Sequence, residues 1–149
     1  MQLTMFSDLG LRLVMRLAAA EEGQRFTARG VAAELNASPA HVAKVVTRLG
    51  ELGVLVATRG RGGGIRLAEG ATGRSLGGLL RALETGEVID CEAAECPIIP
   101  FCRLRGVLAE AQEAFFAHLD GLTVDDLIVR EGGGAVPLTL SPSPRGRIR

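Results

Sequence analysis

Residues 27–67 read TARGVAAELNASPAHVAKVVTRLGELGVLVATRGRGGGIRL, and this stretch decides the fold. Thr27 opens a short helix over ARGVAAEL, and Asn36-Ala37 forms a turn. Ser38-Pro39 then starts a second helix, PAHVAKVVTRLGEL, with a capping residue followed by proline at the first helical position. Gly53 ends that helix, and Val42, Val45, Val46, Leu49 and Leu52 form its inner face. Two short helices joined by a tight turn, the second with polar residues near its start, spell helix-turn-helix. The runs VLVATR and IRLA flank the turn GRGGG and predict a hairpin. A hairpin placed directly after a helix-turn-helix is a wing. The expected fold is mainly α with a small β-hairpin: a winged helix-turn-helix domain plus a long dimerisation helix.

Upstream, Leu9, Leu13, Met15, Leu17 and Ala20 recur at roughly helical spacing, with Ser7 as the expected N-cap and Gly23 as the expected stop. Asp8, Arg12 and Arg16 interrupt the first twenty residues, which excludes a signal peptide or a membrane span from that stretch and points to a cytoplasmic protein. Downstream, Ser75 caps a helix through Leu83, and a cysteine-bearing loop stiffened by Pro97 and Pro100 follows. A long helix begins near Cys102. Leu104, Leu108, Ala111, Phe115, His118 and Leu122 lie on it at steps of 4, 3, 4, 3 and 4, a two-in-seven seam suited to pairing with another helix. Thr123 caps a last turn, and the Gly-, Pro- and Ser-rich tail from Gly132 reads as disordered. The expected organisation is 1–83 winged helix-turn-helix, 84–102 cysteine loop, 103–131 dimerisation helix and C-terminal turn, and 132–149 tail.

The formal net charge of zero hides an asymmetry. Residues 1–70 carry nine basic and six acidic side chains, +3, whereas residues 84–131 carry three basic and eleven acidic ones, −8. The front half can approach a polyanion and the back half is repelled by one. Ser38, Pro39, Ala40, His41 and Lys44 form the expected groove-facing start of the recognition helix, and Arg48 is one turn further on, within reach of phosphate. In the wing, Arg59 and Arg61 flank Gly60; glycine lets a backbone come close to DNA, and arginine suits a narrow minor groove. Each signal alone also describes a solvated basic face. Their order along the chain favours double-stranded DNA as partner.

Cys91, Cys96 and Cys102, spaced C-x4-C-x5-C, are the only cysteines. An odd count forbids complete internal disulfide pairing, and the gaps are wider than the C-x2-C knuckles of structural zinc. Three soft donors on one loop suit an iron–sulfur cluster, against the alternatives of incidental surface thiols or a thiol switch. Such a cluster needs one more ligand. Asp90, Glu92 and Glu95 neighbour the thiols, whereas His41 is claimed by the recognition helix and His118 by the seam; spacing alone does not choose among them.

The opening MQLTMFSDLGLRLVMRLA, the wing RGRGGGIRLA, the block LRALETGEVIDCEAAECPIIPFCRLRGVL and the ending FFAHLDGLTVDDLI together resemble the Rrf-type iron–sulfur winged-helix regulators, in particular their nitric-oxide-sensing members. The likeness spans about residues 1–130. It implies a homodimer with long helices crossed between the winged helices. It also implies a [4Fe–4S] cluster on the three cysteines, with a carboxylate ligand from the partner subunit's first helix, at the position of Asp8 here, and Arg12 beside it. Operator release on nitric oxide exposure is the implied activity. Members that use a histidine three residues after the last cysteine do not match, because Arg105 stands there. Nor do those with Glu and His at the positions of Asp8 and Arg12. A [2Fe–2S] regulator of redox state or cluster supply is the nearest alternative. A small iron–sulfur electron carrier is the alternative of another class. No phosphate loop, second cluster motif or nucleophile–base pair points to an enzyme.

Overall fold

Thr4 rather than Ser7 caps the first helix, α1 (Met5–Ala18). Thr4 has extended backbone, and its hydroxyl accepts the Ser7 N–H at 3.2 Å. Ser7 lies a turn inside the helix, fully buried, with its hydroxyl 3.0 Å from that of Thr4. The capping residue therefore stands three positions earlier than expected, because the serine faces the core. The computed structural model describes residues 2–21 and 24–128, so the stop expected at Gly23 and the tail from Gly132 lie outside the described residues.

Helix α2 (Ala28–Glu34) starts at Thr27, whose hydroxyl accepts the Gly30 N–H at 3.0 Å. Helix α3 (Pro39–Glu51) follows a turn in which Asn36 takes a φ of 50°. Ser38 makes no side-chain cap bond, and Pro39 sets the first turn by its fixed φ. At the other end Gly53 (φ 65°) closes a Schellman motif: Gly53 N–H donates to the Gly50 carbonyl and Val54 N–H to the Leu49 carbonyl, each at 2.9 Å. Strands β1 (Leu55–Thr58) and β2 (Gly64–Leu67) pair antiparallel, with Leu55 opposite Leu67 and Thr58 opposite Gly64. Glycine is required at the hairpin's neck, since a Cβ on Gly63 would overlap the Thr58 carbonyl. The winged helix-turn-helix is therefore present as the sequence predicts.

Helices α4 (Leu76–Leu83), α5 (Leu104–Leu119) and α6 (Val124–Leu127) complete the chain. The main core gathers Leu9, Leu13 and Leu17 of α1, Val42, Val45 and Leu49 of α3, and Leu55 and Ile65 of the wing, with Leu79 and Leu83 of α4. Val124 of α6 joins them, so the C-terminal turn packs back onto the winged helix. A smaller core of Leu76, Leu80 and Phe116 fastens α5 to α4. Arg81 strengthens that junction. It donates to both oxygens of Asp120 (2.7 and 2.8 Å) and to Glu113 (3.0 Å), with its guanidinium 5.6 Å from the centre of the Phe116 ring. These bonds hold the Asp120 and Glu113 carboxyls below their ordinary range.

The seam expected on α5 is divided: Leu122 lies beyond the helix end and packs against the Leu76–Leu80–Phe116 core of its own chain, its carbonyl accepting the Leu76 N–H at 2.8 Å, whereas most of the rest faces outward. Phe116 is the buried residue of the helix, whereas Leu104, Ala111, Phe115 and His118 are exposed and Leu108 and Leu122 half-buried.

Two outcomes follow from the α4–α5 junction. A Cβ on Gly77 would overlap the Phe116 carbonyl and lie 2.9 Å from the Asp120 nitrogen, so Gly77→Ala is expected to cost roughly 1–3 kcal/mol in denaturant unfolding. Gly78→Ala meets only ordinary contacts and is expected to be neutral or stabilising by up to about 1 kcal/mol. The lowered carboxyls of Asp120 and Glu113 add stability above the ordinary carboxylate pKa of about 4, and lose it as pH falls through their folded values. Thermal unfolding followed against pH should therefore lose less stability on acidification in Arg81→Ala than in the native chain.

Candidate functional site

Two surfaces carry the candidate chemistry: the exposed start of α3 with the wing, and the loop between α4 and α5. On the first, Ser38, Pro39, Ala40, His41 and Lys44 are all exposed, while Val42, Val45, Val46 and Leu49 of the same helix are buried. The apolar stripe anchors α3 and thereby directs the polar stripe outward. Arg59 and Arg61 are exposed at the hairpin tip, where Gly60 (φ 97°) and Gly62 (φ 86°) hold conformations that L side chains rarely adopt. Arg48 is placed differently from its neighbours. It is half-buried, and its guanidinium donates to the Ala82 carbonyl at 3.1 Å and to Glu51 at 3.4 Å. Contact with phosphate would require it to leave those partners.

The first turn of α1 adjoins the recognition helix. Met5, Phe6 and Leu9 share a hollow of about 280 Å³ with His41, Lys44 and Val45. Phe6 and Lys44 also line a larger groove of about 580 Å³ with Thr4, Thr47, Glu51 and Leu83. Asp8 lies in that same first turn, half-exposed, with Arg12 Nε donating to its Oδ1 at 2.9 Å. The pairing of Asp8 with Arg12 is thus present within one protomer.

In the loop, Cys91, Cys96 and Cys102 are free and half-buried. Cys96 N–H donates to the Cys91 carbonyl at 3.1 Å, closing a turn that reverses at Glu95 (φ 46°). Leu104 N–H donates to Cys102 Sγ at 3.4 Å, which fixes that sulfur at the start of α5. Among the described residues no three His, Cys, Asp or Glu side chains gather as around a single metal ion, so Asp8 does not join two of the thiols within one chain. The donor chemistry fits a cluster better than a lone ion. A cluster presents several separate irons, and its thiolates need not converge on one point. His118 is exposed on α5, and His41 lies on the recognition helix.

Sequence reasoning missed the groups that fasten this loop. Arg105, noted only as a departure from a histidine pattern, donates to both oxygens of Glu87 at 2.6 Å and to Glu92 at 3.2 Å. The Arg105–Glu87 bonds push the Glu87 carboxyl below its ordinary range. Gln112 donates to the Gly86 carbonyl at 3.2 Å, and Thr4 N–H to Glu84 at 2.6 Å. These partners lie 18, 13, 26 and 80 residues apart, beyond any local periodicity.

A helix-turn-helix with a glycine-rich basic wing defines a winged-helix, DNA-binding transcription regulator. More narrowly, the chain belongs to the Rrf2 family, iron-dependent transcriptional regulators, whose pattern matches residues 3–130. It is 48% identical over 149 residues to the HTH-type transcriptional repressor NsrR of Streptomyces coelicolor, covering 98% of this chain and all of that protein. Among solved structures, the oxidised form of CymR from Staphylococcus aureus superposes with a TM-score of 0.61 at 25% identity, over 83% of this chain and 93% of that one. IscR from T. potens superposes with a TM-score of 0.63 at 19% identity over 85% of each chain, a likeness of fold. Among the described residues, no helix is long and apolar enough to cross a membrane.

The two parts of the DNA-facing surface should separate in binding assays. Arg59→Ala and Arg61→Ala are expected to weaken binding to all duplexes alike, each lowering the log–log salt slope by about 1. Lys44→Ala is expected to cost about 1–3 kcal/mol on the operator while leaving affinity for random duplex nearly unchanged. Equal losses on both duplexes would assign Lys44 to phosphate instead.

Proposed function

We propose that this protein is a homodimeric transcriptional repressor that holds operator DNA while an iron–sulfur cluster is loaded and releases it on exposure to nitric oxide. The observation that carries this reading is the C-x4-C-x5-C loop, its three thiols free, in a chain so similar along its length to the repressor NsrR. Cys91, Cys96 and Cys102 would hold the cluster, [4Fe–4S] in preference to [2Fe–2S], and Asp8 of the second copy would complete its ligands. When bound, the cluster supplies iron that reacts with nitric oxide. Carboxylate oxygen is a harder ligand than thiolate and a more exchangeable one for iron, which makes the Asp8 corner the point of entry.

The residues of the chain support this arrangement in three ways. Arg12 keeps the Asp8 carboxylate aligned on the outer side of α1 while leaving it half-exposed, accessible to a second copy. The apolar stripe of α5 provides a surface for that copy: Leu104 is 52% exposed and Val107 57%, and Phe101, beside the last cysteine, is 88% exposed. Exposed apolar side chains clustered on one helix face are what an interface would cover, and the two-in-seven spacing suits helix pairing. Finally, α1 joins Asp8 to the reading head. Its Leu9, Leu13 and Leu17 share one core with Val42, Val45 and Leu49 of α3, so a displaced α1 would be felt by the helix that reads DNA. Paired recognition helices must keep a spacing of about 34 Å to meet successive major grooves, and a bias of a few kcal/mol changes operator occupancy by orders of magnitude.

An anaerobic titration of operator DNA tests the whole proposal: affinity is expected to fall at least about tenfold after stoichiometric nitric oxide, and unchanged affinity of the loaded protein would end it. Cys96→Ser should fold normally and retain no stable cluster, as read by iron and sulfide content. Asp8→Ala should retain a cluster on three thiolates with an altered visible spectrum and altered response to nitric oxide; an unchanged spectrum and response would remove Asp8 from the ligand set.

A further inference from the structure

The segment that leads into the cysteine loop is tied down before the first thiol is reached. Thr4 of α1 holds Glu84, and Gln112 and Arg105 of α5 hold Gly86 and Glu87. Arg105 then reaches past the segment to Glu92, the residue after Cys91. Arg105 itself stands three positions after Cys102, in the first turn of α5. One guanidinium thus joins both ends of the loop that carries the cysteines. We propose that Arg105 is a positioning residue that clasps the Cys91 end of the loop to the Cys102 end, arranging the thiols before any metal arrives.

Charge explains why a clasp is needed. Residues 84–95 include Glu84, Glu87, Asp90, Glu92 and Glu95 and no basic residue. Such a run repels itself and extends when nothing neutralises it. Adding thiolates to the run makes it more anionic still. Arg105 neutralises two of the five carboxylates, one of them through a two-bond fork that lysine cannot form. The local turns, Ala93 N–H to the Asp90 carboxylate at 2.8 Å and Cys96 N–H to the Cys91 carbonyl, shape the interior of the loop but do not join its ends. The pairs are solvent-exposed, with Arg105 44% and Glu92 77% exposed, so the clasp slows opening of the loop without locking it.

The inference rests on the proposed role of the loop, but its primary test needs no metal. Amide exchange at Ala93, Ala94 and Cys96 is measured in reduced, metal-free full-length protein. Arg105→Ala is expected to accelerate exchange there about two- to fivefold without changing exchange in α3. Glu87→Gln should accelerate exchange by a smaller factor, because the Arg105–Glu92 pair survives in it, and the double variant should add little to Arg105→Ala, because Glu87 has already lost its partner there. The swapped pair Arg105→Glu with Glu87→Arg should return exchange towards the native rate. Anaerobic reconstitution with ferrous iron and sulfide should slow in Arg105→Ala by a similar factor. Native exchange rates in Arg105→Ala, additive effects in the double variant, or faster exchange with unaltered reconstitution would each overturn the clasp. If the native chain takes up no iron at all, the proposed function fails while the exchange result still decides whether Arg105 holds the loop ends together.

Discussion

The structure depends on the close packing of α1 across α3 and α4. Gly10 faces that junction, where an added Cβ would come 2.9 Å from a Leu83 methyl group, so a larger residue there would require Leu83 to shift. Around that contact Leu9, Leu13 and Leu17 interdigitate with Val42, Val45 and Leu49 to form one core. Interiors packed at this density transmit displacement rather than absorb it. The helix that bears Asp8 and the helix that would read DNA are consequently mechanical neighbours, and a signal at one needs no long route to the other.

Charge is divided along the chain, with a basic excess in residues 1–70 and an acidic excess in residues 84–131. The wing and the start of α3 expose Lys44, Arg59 and Arg61, and many of the acidic residues lie in the cysteine loop and in α5. Within that acidic half, two arginines each gather a pair of carboxylates: Arg81 fastens α5 to α4, and Arg105 fastens α5 to the loop. Both grip α5 on the side of its own protomer. The opposite stripe keeps Leu104, Val107 and Phe115 in solvent, the surface that the proposed dimer would cover.

The helix-turn-helix and its wing were legible because their signals are local. Ser38-Pro39, Gly53, the valine and leucine spacing of α3 and the GRGGG turn each act within a few residues of themselves. The seam on α5 was legible as a spacing, and Leu104, Ala111, Phe115 and His118 of it are exposed, whereas Leu122 is taken up by the core of its own chain because the helix ends at Leu119. The start of α1 was misplaced by three residues because Ser7 is the stronger capping type, and its burial inside the helix leaves the cap to Thr4. The cysteines announced themselves by type. The contacts that hold their loop did not, since Thr4–Glu84 and Arg105–Glu87 join residues that only the folded chain brings together. Arg48 shows the converse: its spacing from Lys44 suggested phosphate, and tertiary packing gave it the Ala82 carbonyl.

A mixed dimer tests most directly whether the site is shared between two chains. One chain carries Asp8→Ala with its cysteines intact; the other carries Cys96→Ser with Asp8 intact. Ligation across the dimer leaves one complete site, formed by the cysteines of the first chain and Asp8 of the second. The mixed dimer should then show one cluster with the native spectrum and native response to nitric oxide, although neither parental homodimer does. A mixed dimer with no native-like cluster would contradict the arrangement and place all the ligands of each cluster within a single chain.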